Sequence, residues 1–489
     1  MKMKSLMTLL KSDTYKQTHQ RMEPSGLTKI VSYWTPRKSM SKKYNKMVFF
    51  GLQAFIKETL VEDFNENFFN RPLEEVINEY KLYMNTQLGE GNYDVDKVTA
   101  LHKLGYLPLL IRALPEGSIV NMGIPCIELT NTHPDFAWLV QWLECLLQVN
   151  LWSTCGYATI GKIYKDIATE YYFKTTDNSD PAMAMSDFGM RGMSCLEDSI
   201  RTSASWLLSF NKTSTIPALG YIREYYNADK NIGIGAVSSE HAIMGANFAV
   251  DGDEITFVKR LLTELYPNTS FSMVSDTYDY WRMVKEIIPQ CKEEIMNHNG
   301  KLLIRPDSGD IVEISIETIK FLWETFGGTI NSKGYKLLDP HIGIIYGDGC
   351  TVNKVEEIYK NLEELGFAAN NIVFGVGAFC FHAIFESDGK FVVNTRDTFG
   401  IAMKATHGEI GDFKFPIYKD PKTDTSKLKK SHKGCCAVIK ANDGYKCVDG
   451  YDCLVSKENT LLEEVFCNGE LLNEVSFEKI RQRLDEEKL

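Results

Sequence analysis

The stretch from about residue 180 to 380 constrains the fold more than any other part of the chain, because one pattern recurs along it. A short apolar run ends in Asp, Gly, Arg or His, and an amphipathic helical stretch follows. The endings are Asp187-Phe188-Gly189-Met190-Arg191-Gly192, Ser239-Glu240-His241, Val274-Ser275-Asp276, Ile304-Arg305-Pro306-Asp307-Ser308-Gly309, Gly347-Asp348-Gly349 and Gly375-Val376-Gly377-Ala378. Over 352–365 the residues Val352, Val355, Ile358, Tyr359, Leu362 and Leu365 share one helical face, opposite Glu356, Lys360 and Glu363. Buried strands alternating with helices make parallel βα units, and polar groups at the strand C-termini then converge on one face, where ligands bind. Successive units ending in chemically able residues predict an irregular, barrel-like parallel α/β domain over 161–394. An open doubly wound sheet is the alternative, and the number of consecutive strand ends carrying polar chemistry favours the barrel.

Residues 1–160 and 395–489 lack this rhythm. They mix strand-like runs (30–34, 109–113, 118–121) with helices, which predicts a discontinuous α+β domain formed by the N- and C-terminal segments. The lysine-rich stretch 404–433 reads as a loop, and Asn442-Asp443-Gly444 as a turn. With 44% hydrophobic and 24% charged residues, cores of ordinary size are attainable. The net charge of −11 argues against a general nucleic-acid or membrane-surface binder, so an anionic ligand would have to be met by locally gathered cations. In the apolar stretch 136–152, Gln141, Glu144 and Gln148 fall on one face, which predicts a half-buried helix rather than a membrane span. The first apolar run stops at Lys11 and Asp13, short for a secretory signal. The twelve cysteines include no CxxC pair, and the adjacent Cys435 and Cys436 suit neither a disulfide framework nor a zinc ribbon. A cytoplasmic protein with reduced thiols is therefore expected.

Each strand-end motif carries a chemical reading beside a plainer one. Arg305 can donate a fork of hydrogen bonds to an anion, and Asp307 can accept from ribose hydroxyls or hold Mg²⁺. Ser308-Gly309 can open a helix whose first amides face an anion; a strand followed by a capped helix explains the same residues. Gly347-Asp348-Gly349 brings a carboxylate to a tight backbone, suited to a ribose diol or to a turn. Gly377 and Ala378 lie in a small-residue loop that can cradle a phosphate or simply pack closely. His241 is structural or catalytic; Glu240 and Asp276, if close, would orient and charge its ring. Phe188 beside Arg191 can serve as a stacking plate for a flat ring.

Taken together and in order, the segments SDTYKQTH (12–19), FFGLQ (49–53), DFGMRG (187–192), SSEH (238–241), VSDTYD (274–279), LLIRPDSG (302–309), NSKGYKLL (331–338), GDG (347–349), TRDTFG (395–400) and YKDP (418–421) resemble the nicotinamide phosphoribosyltransferase family nearly end to end. The resemblance implies a type II phosphoribosyltransferase fold and a homodimer with two interfacial sites. It implies a reaction in which nicotinamide and phosphoribosyl pyrophosphate give nicotinamide mononucleotide and pyrophosphate, with Mg²⁺. It also implies ATP hydrolysis coupled through a phosphohistidine at His241. By the same resemblance Phe188 and Tyr15 of the partner subunit would sandwich the base, with Arg305 on its carbonyl side and Asp13 and Ser214 nearby. Asp307, Gly347 and Asp348 would hold the ribose, and Gly377 and Ala378 its 5-phosphate. Arg191 and His241 would meet the pyrophosphate. Asp276 and Asp307 would hold the metal, with Glu240 beside the histidine. The second chain's Asp13, Arg37, Arg396, Asp397, Lys404, Lys419 and Lys427 would surround the polyphosphate.

Three departures stand out. Ser214 occupies the place where the nicotinamide enzymes carry an Asp facing the amide. Ala378 stands at a family glycine. About ten extra residues lie near 382–393. A carboxylate facing the base would repel nicotinate, whereas a hydroxyl can accept from an amide or donate to a carboxylate. The sister activity on nicotinate, or dual base use, is therefore the alternative, and a non-catalytic phosphosugar-binding protein is the alternative of another class.

Overall fold

The structure is a computed structural model and describes residues 6–423, 431–487 and 489. The chain divides into two compact units. One comprises Met1–Thr159, Ile222–Ala228 and Asn394–Leu489, the other Ile160–Tyr221 and Asp229–Val393. The short excursion at Ile222–Ala228 carries no composition signal that the sequence reading could have used.

In the second unit seven parallel strands form one sheet: β1 (Met185–Asp187), β2 (Lys212–Thr213), β3 (Val237–Ser238), β4 (Phe271–Val274), β5 (Leu302–Arg305), β6 (Ile342–Tyr346) and β7 (Ile372–Val376). Their order is β2-β1-β7-β6-β5-β4-β3, all neighbours parallel. A single parallel bridge between Lys212 and Ile234 draws the two edges toward each other, which gives the sheet its barrel-like form. Helices such as His241–Asp251, Ile311–Phe326 and Val352–Glu364 connect successive strands. Val352, Val355, Ile358, Tyr359 and Leu362 are buried on the inner face of the last of these, while Leu365 just past its end is exposed. β2 was not foreseen as a strand: two residues are too few to show alternation.

The first unit is built on a seven-stranded antiparallel sheet ordered Phe413–Pro416, Ala402–Ile410, Lys29–Thr35, Ile127–Asn131, Leu109–Ala113, Glu463–Cys467 and Glu470–Leu471. Strands from both ends of the chain thus pair directly, Ile30 with Gly408 and Val31 with His407. The loop expected over 404–433 is corrected here. Residues 402–416 are mostly strand because a partner almost 380 positions away supplies their hydrogen-bond ladder, which local composition does not register. A buried Arg112–Glu128 ion pair crosses the sheet, with the Tyr33 hydroxyl donating to Glu128 at 2.5 Å. The stretch 136–152 contains the helix Trp138–Trp142 and the start of Glu144–Thr175. Among the described residues no helix is long and apolar enough to cross a membrane.

One buried side chain joins several pieces of the parallel unit. Asp187, the last residue of β1, is fully buried. Its Oδ1 accepts the Gly189 N–H at 2.7 Å. Its Oδ2 accepts the hydroxyls of Ser203 at 2.5 Å, Thr213 at 2.7 Å and Thr215 at 3.2 Å. The carboxylate thereby ties β1, β2, the loop after each and the helix Leu196–Trp206. Removing it strands donors that each cost about 1–3 kcal/mol when buried and unpaired. Asp187→Ala is therefore expected to lose about 3 kcal/mol or more of folding stability, measured as a lower urea midpoint at unchanged slope.

Candidate functional site

The strand C-termini gather their polar residues as the sequence pattern predicts. A cavity of about 640 Å³ in the parallel unit is lined by Phe188, Arg191, Ser214, Ser238, Arg305, Asp307, Gly347, Asp348, Gly377 and Ala378, among others. They come from the ends of β1, β2, β3, β5, β6 and β7 or the loops after them. The Phe188 N–H donates to the Val376 carbonyl at 2.9 Å, which sets the loop after β1 against β7. Glycine is required on the β7 side, since a Cβ on Gly375 would lie 2.2 Å from the Phe188 ring. Gly347 is constrained likewise, because a Cβ there would meet Asp307 Oδ1 at 2.6 Å. A Cβ on Gly377, by contrast, would meet nothing within 4 Å, so open space faces this backbone.

Arg305 is held from β3. Its Nη1 donates to Ser238 Oγ at 2.8 Å and its Nη2 to the Ser239 carbonyl at 3.0 Å, while its buried Nε has no hydrogen-bond partner among the described residues. Burial pulls its pKa down, opposed by the nearby Asp307 and Asp276. Asp276 accepts the Asp307 N–H at 3.1 Å and the Ser308 hydroxyl at 2.5 Å through Oδ2. Its Oδ1 is buried and has no hydrogen-bond partner among the described residues. Burial pushes the Asp307 carboxyl above its ordinary range; Arg305 opposes the shift, Asp276 and Asp348 add to it, and His241 opposes it.

His241 is the first residue of its helix. Its Nε2 lies 3.8 Å from Asp276 Oδ1 and 3.9 Å from Asp307 Oδ2, and its Nδ1 lies 3.3 Å from Thr277 Oγ1. Asp276 therefore faces the ring as foreseen. Glu240 occupies the N-cap position, and its carboxylate makes no hydrogen bond or ion pair with the ring among the described residues.

Of the two readings of Ser308-Gly309, the plainer one, a strand followed by a capped helix, is what the structure has. Ser308-Gly309 does not open a helix with free amides. The helix begins at Ile311, and the Asp310 carboxylate already accepts the N–H groups of Val312 and Glu313 at 3.0 and 2.9 Å. An anion there would displace or repel that cap. Sequence reasoning also overlooked Asp187. Its place within DFGMRG was visible, but its partners Thr213 and Thr215 are recognised only once β1 and β2 are neighbours.

The remaining candidates lie in the antiparallel unit. Asp13, Tyr15 and Arg396 line one cavity of about 490 Å³ with Glu144 and Cys145. Tyr15 is exposed, and Arg396 pairs with Asp397 at 2.9 Å. Arg37 and Lys404 line another cavity of about 310 Å³. Lys419 is exposed, and Lys427 lies outside the described residues. The extra segment forms the hairpin Ala383–Phe385 with Phe391–Val393, and His382 just before it reaches the Gly192 carbonyl at 3.1 Å, beside the cavity.

Residues 183–470 match the model of the nicotinate phosphoribosyltransferase (NAPRTase) family, and residues 7–82 match that of the nicotinamide phosphoribosyltransferase N-terminal domain. A nicotinamide phosphoribosyltransferase of Acinetobacter baylyi is 38% identical over 96% of both chains. One of Xanthomonas campestris pv. campestris is 29% identical over 98% of both. Among solved structures, a nicotinate-nucleotide pyrophosphorylase from Pyrococcus furiosus superposes with a TM-score of 0.59 at 16% identity, covering 98% of this chain and 95% of that one. Human nicotinic acid phosphoribosyltransferase gives 0.59 at 13% identity, covering 97% and 93%. At these identities the structures speak for the fold.

The raised Asp307 pKa has a consequence for stability. A carboxyl whose folded pKa exceeds its unfolded one disfavours folding once it is ionised in both states, and the penalty vanishes at pH values below both. Ligand-free Asp307→Asn is therefore expected to be more stable than the parent chain at neutral pH. The gap should close as pH falls below the ordinary carboxylate range, read from urea midpoints across pH. A variant less stable at neutral pH would mean that Arg305 outweighs burial.

Proposed function

The chain belongs to the nicotinate phosphoribosyltransferase family and is a pentosyltransferase, and from that premise we propose that its base is nicotinamide. In this reading it forms nicotinamide mononucleotide and pyrophosphate from nicotinamide and phosphoribosyl pyrophosphate, a step of NAD salvage. The observation that carries the reading to this site is the convergence of Phe188, Arg305, Asp307 and Asp348 on one cavity at the strand C-termini.

The pyridine nitrogen attacks the anomeric carbon, the bond to the pyrophosphate oxygen breaks, and the electron pair leaves with pyrophosphate. Little covalent help is needed, so catalysis is positioning plus stabilisation of charge on the leaving group. Phe188 supplies a flat face for the ring. Asp307 and Asp348 accept from the ribose hydroxyls, the open backbone at Gly377 and Ala378 receives the 5-phosphate, and Arg191 and Arg305 meet developing negative charge. Asp276 and Asp307 are the residues that would hold Mg²⁺, and the buried Asp276 Oδ1, which accepts no hydrogen bond among the described residues, is a fitting donor. Bound there, the cation would offset the charge of the polyphosphate.

His241 is assigned as the acceptor of the ATP γ-phosphoryl group. With Nδ1 engaged by Thr277, Nε2 is the available nucleophile, and ADP leaves as the N–P bond forms. The carboxylates of Asp276 and Asp307 near Nε2 would resist an incoming phosphoryl group, and Mg²⁺ held by them would offset that repulsion. The active form is proposed to be a homodimer in which Asp13, Tyr15, Arg37, Arg396 and Lys404 of the partner subunit complete each site.

Nicotinate is the second reading, and Ser214 is the observation that favours it. The residue is exposed on the cavity wall and carries no charge to repel a carboxylate. The assay is mononucleotide and pyrophosphate formation from either base with phosphoribosyl pyrophosphate and Mg²⁺, with and without ATP. Nicotinamide turnover with measurable nicotinate use is expected, and Ser214→Asp should lower kcat/KM for nicotinate by about tenfold or more relative to nicotinamide. No nicotinate turnover at saturation would remove Ser214 as the selecting group. His241→Ala should keep slow transfer and lose ATP stimulation; undiminished substrate-dependent ATP hydrolysis would exclude the phosphohistidine. Mixing Tyr15→Ala with Arg305→Ala should restore activity that neither has alone, since one site of the hybrid dimer is then intact. No recovery after verified subunit exchange would argue against a shared site.

A further inference from the structure

In the antiparallel unit the structure brings together three groups that no CxxC spacing marks. His432, Cys436 and Cys447 present ligand atoms that all lie within 4.8 Å of one another. We propose that these residues form a structural zinc site, with Asp449 as the fourth ligand.

The arrangement follows from the hairpin made by Cys435–Ala441 and Gly444–Tyr451. Cys447 pairs directly with Val438, two residues beyond Cys436, and the Cys436 and Cys447 sulfurs lie within 4.8 Å of each other. The register shift between Cys435 and Ala437 bends the strand where Cys436 sits, and Cys436 is buried. His432 approaches from the segment leading into the hairpin, with its Nδ1 3.8 Å from the Cys447 sulfur. Zinc–thiolate bonds near 2.3 Å and zinc–imidazole bonds near 2.0 Å place tetrahedral donors about 3.4–3.8 Å apart, so small side-chain movements would bring these three onto one ion, and a rotation of Asp449 would supply the fourth donor.

The histidine's other nitrogen strengthens the case. His432 Nε2 lies 3.0 Å from the Gly123 carbonyl, an acceptor only, so Nε2 must carry the proton in that hydrogen bond. With Nε2 so engaged, Nδ1 is the nitrogen turned toward the two sulfurs, the outer-shell arrangement common to zinc-binding histidines. Asp449 Oδ2 is 3.6 Å from the same Nδ1 and accepts the Lys433 N–H at 3.2 Å, which steadies it. Two sulfurs, one imidazole and one carboxylate are a borderline-soft, four-donor set that suits zinc and disfavours magnesium or calcium. All four positions come from the chain itself, so the site has a structural rather than a catalytic make-up. Zinc there would fasten the end of the lysine-rich stretch to the hairpin.

The test uses the full chain, purified without an affinity tag and under reductant. After zinc is added and free metal removed, metal analysis should find about one zinc per chain. Cobalt substitution should give a thiolate-to-metal charge-transfer band with tetrahedral d–d bands. Cys436→Ser and Cys447→Ser should each lose that band and weaken zinc binding by roughly 10–100-fold or more, whereas Cys195→Ser, at an exposed cysteine elsewhere, should change neither. Should either serine variant fold poorly, the parent chain decides alone. No zinc retained and no charge-transfer band overturns the proposal. So does a chain that, without reductant, loses the Cys436 and Cys447 thiols together to a disulfide and takes up no metal after reduction.

Discussion

The carboxylate of Asp187 is the interaction on which the proposed catalytic geometry rests. A buried carboxylate needs several donors, and it takes them from two strands, a turn and a helix. In doing so it fixes the backbone on which Phe188 stands and the two threonines that flank Ser214. Two of the residues proposed to touch the base, Phe188 and Ser214, are thus set by one side chain that never reaches it. A positioning device of this kind is more exacting than a flexible loop, because every donor must be in place before the carboxylate is satisfied.

Parallel pairing does the rest. With every strand pointing the same way, the polar C-terminal residues end on one rim whether or not their charges are compatible there. The result is crowded: Asp276, Asp307 and Asp348 lie near one another, and burial with these neighbours pushes the Asp307 carboxyl up despite Arg305. The ligand-free rim is therefore poorly balanced, and a cation with an anionic substrate balances it better than the protein can alone. Function here opposes stability at the same residues, as preorganised electrostatic sites commonly do.

How much of this was legible in the sequence varied with the distance between partners. β4 to β7 could be read because an apolar run, a polar ending and a helix are all local signals, and Arg305, Asp307 and Asp348 came with them. β2 could not, being two residues long. The strand Ala402–Ile410 was hidden because its ladder partner lies at the other end of the chain, and lysines within the stretch suggested solvent. The Asp310 cap was hidden in plain view. Asp followed by an apolar helical run is a helix-start signal, but attention to the preceding Ser308-Gly309 placed the helix two residues early. The grouping of His432, Cys436 and Cys447 depends on strand register and a bulge, which composition and spacing do not encode.

The pairing of Lys29–Thr35 with Ala402–Ile410 also bears on the order in which the molecule can be made. A ribosome must add roughly 370 residues between the two, which takes on the order of tens of seconds at about 5–20 residues per second. Throughout that interval the first strand has emerged without one of its two neighbours. The parallel unit, whose strands run in sequence from Met185 to Val376, can meanwhile complete its pairings as each strand emerges. The emerging chain thus builds its middle before its beginning is finished. Until the C-terminal segment arrives, the early strand carries an unpaired edge of the kind that chaperones cover and that aggregation exploits.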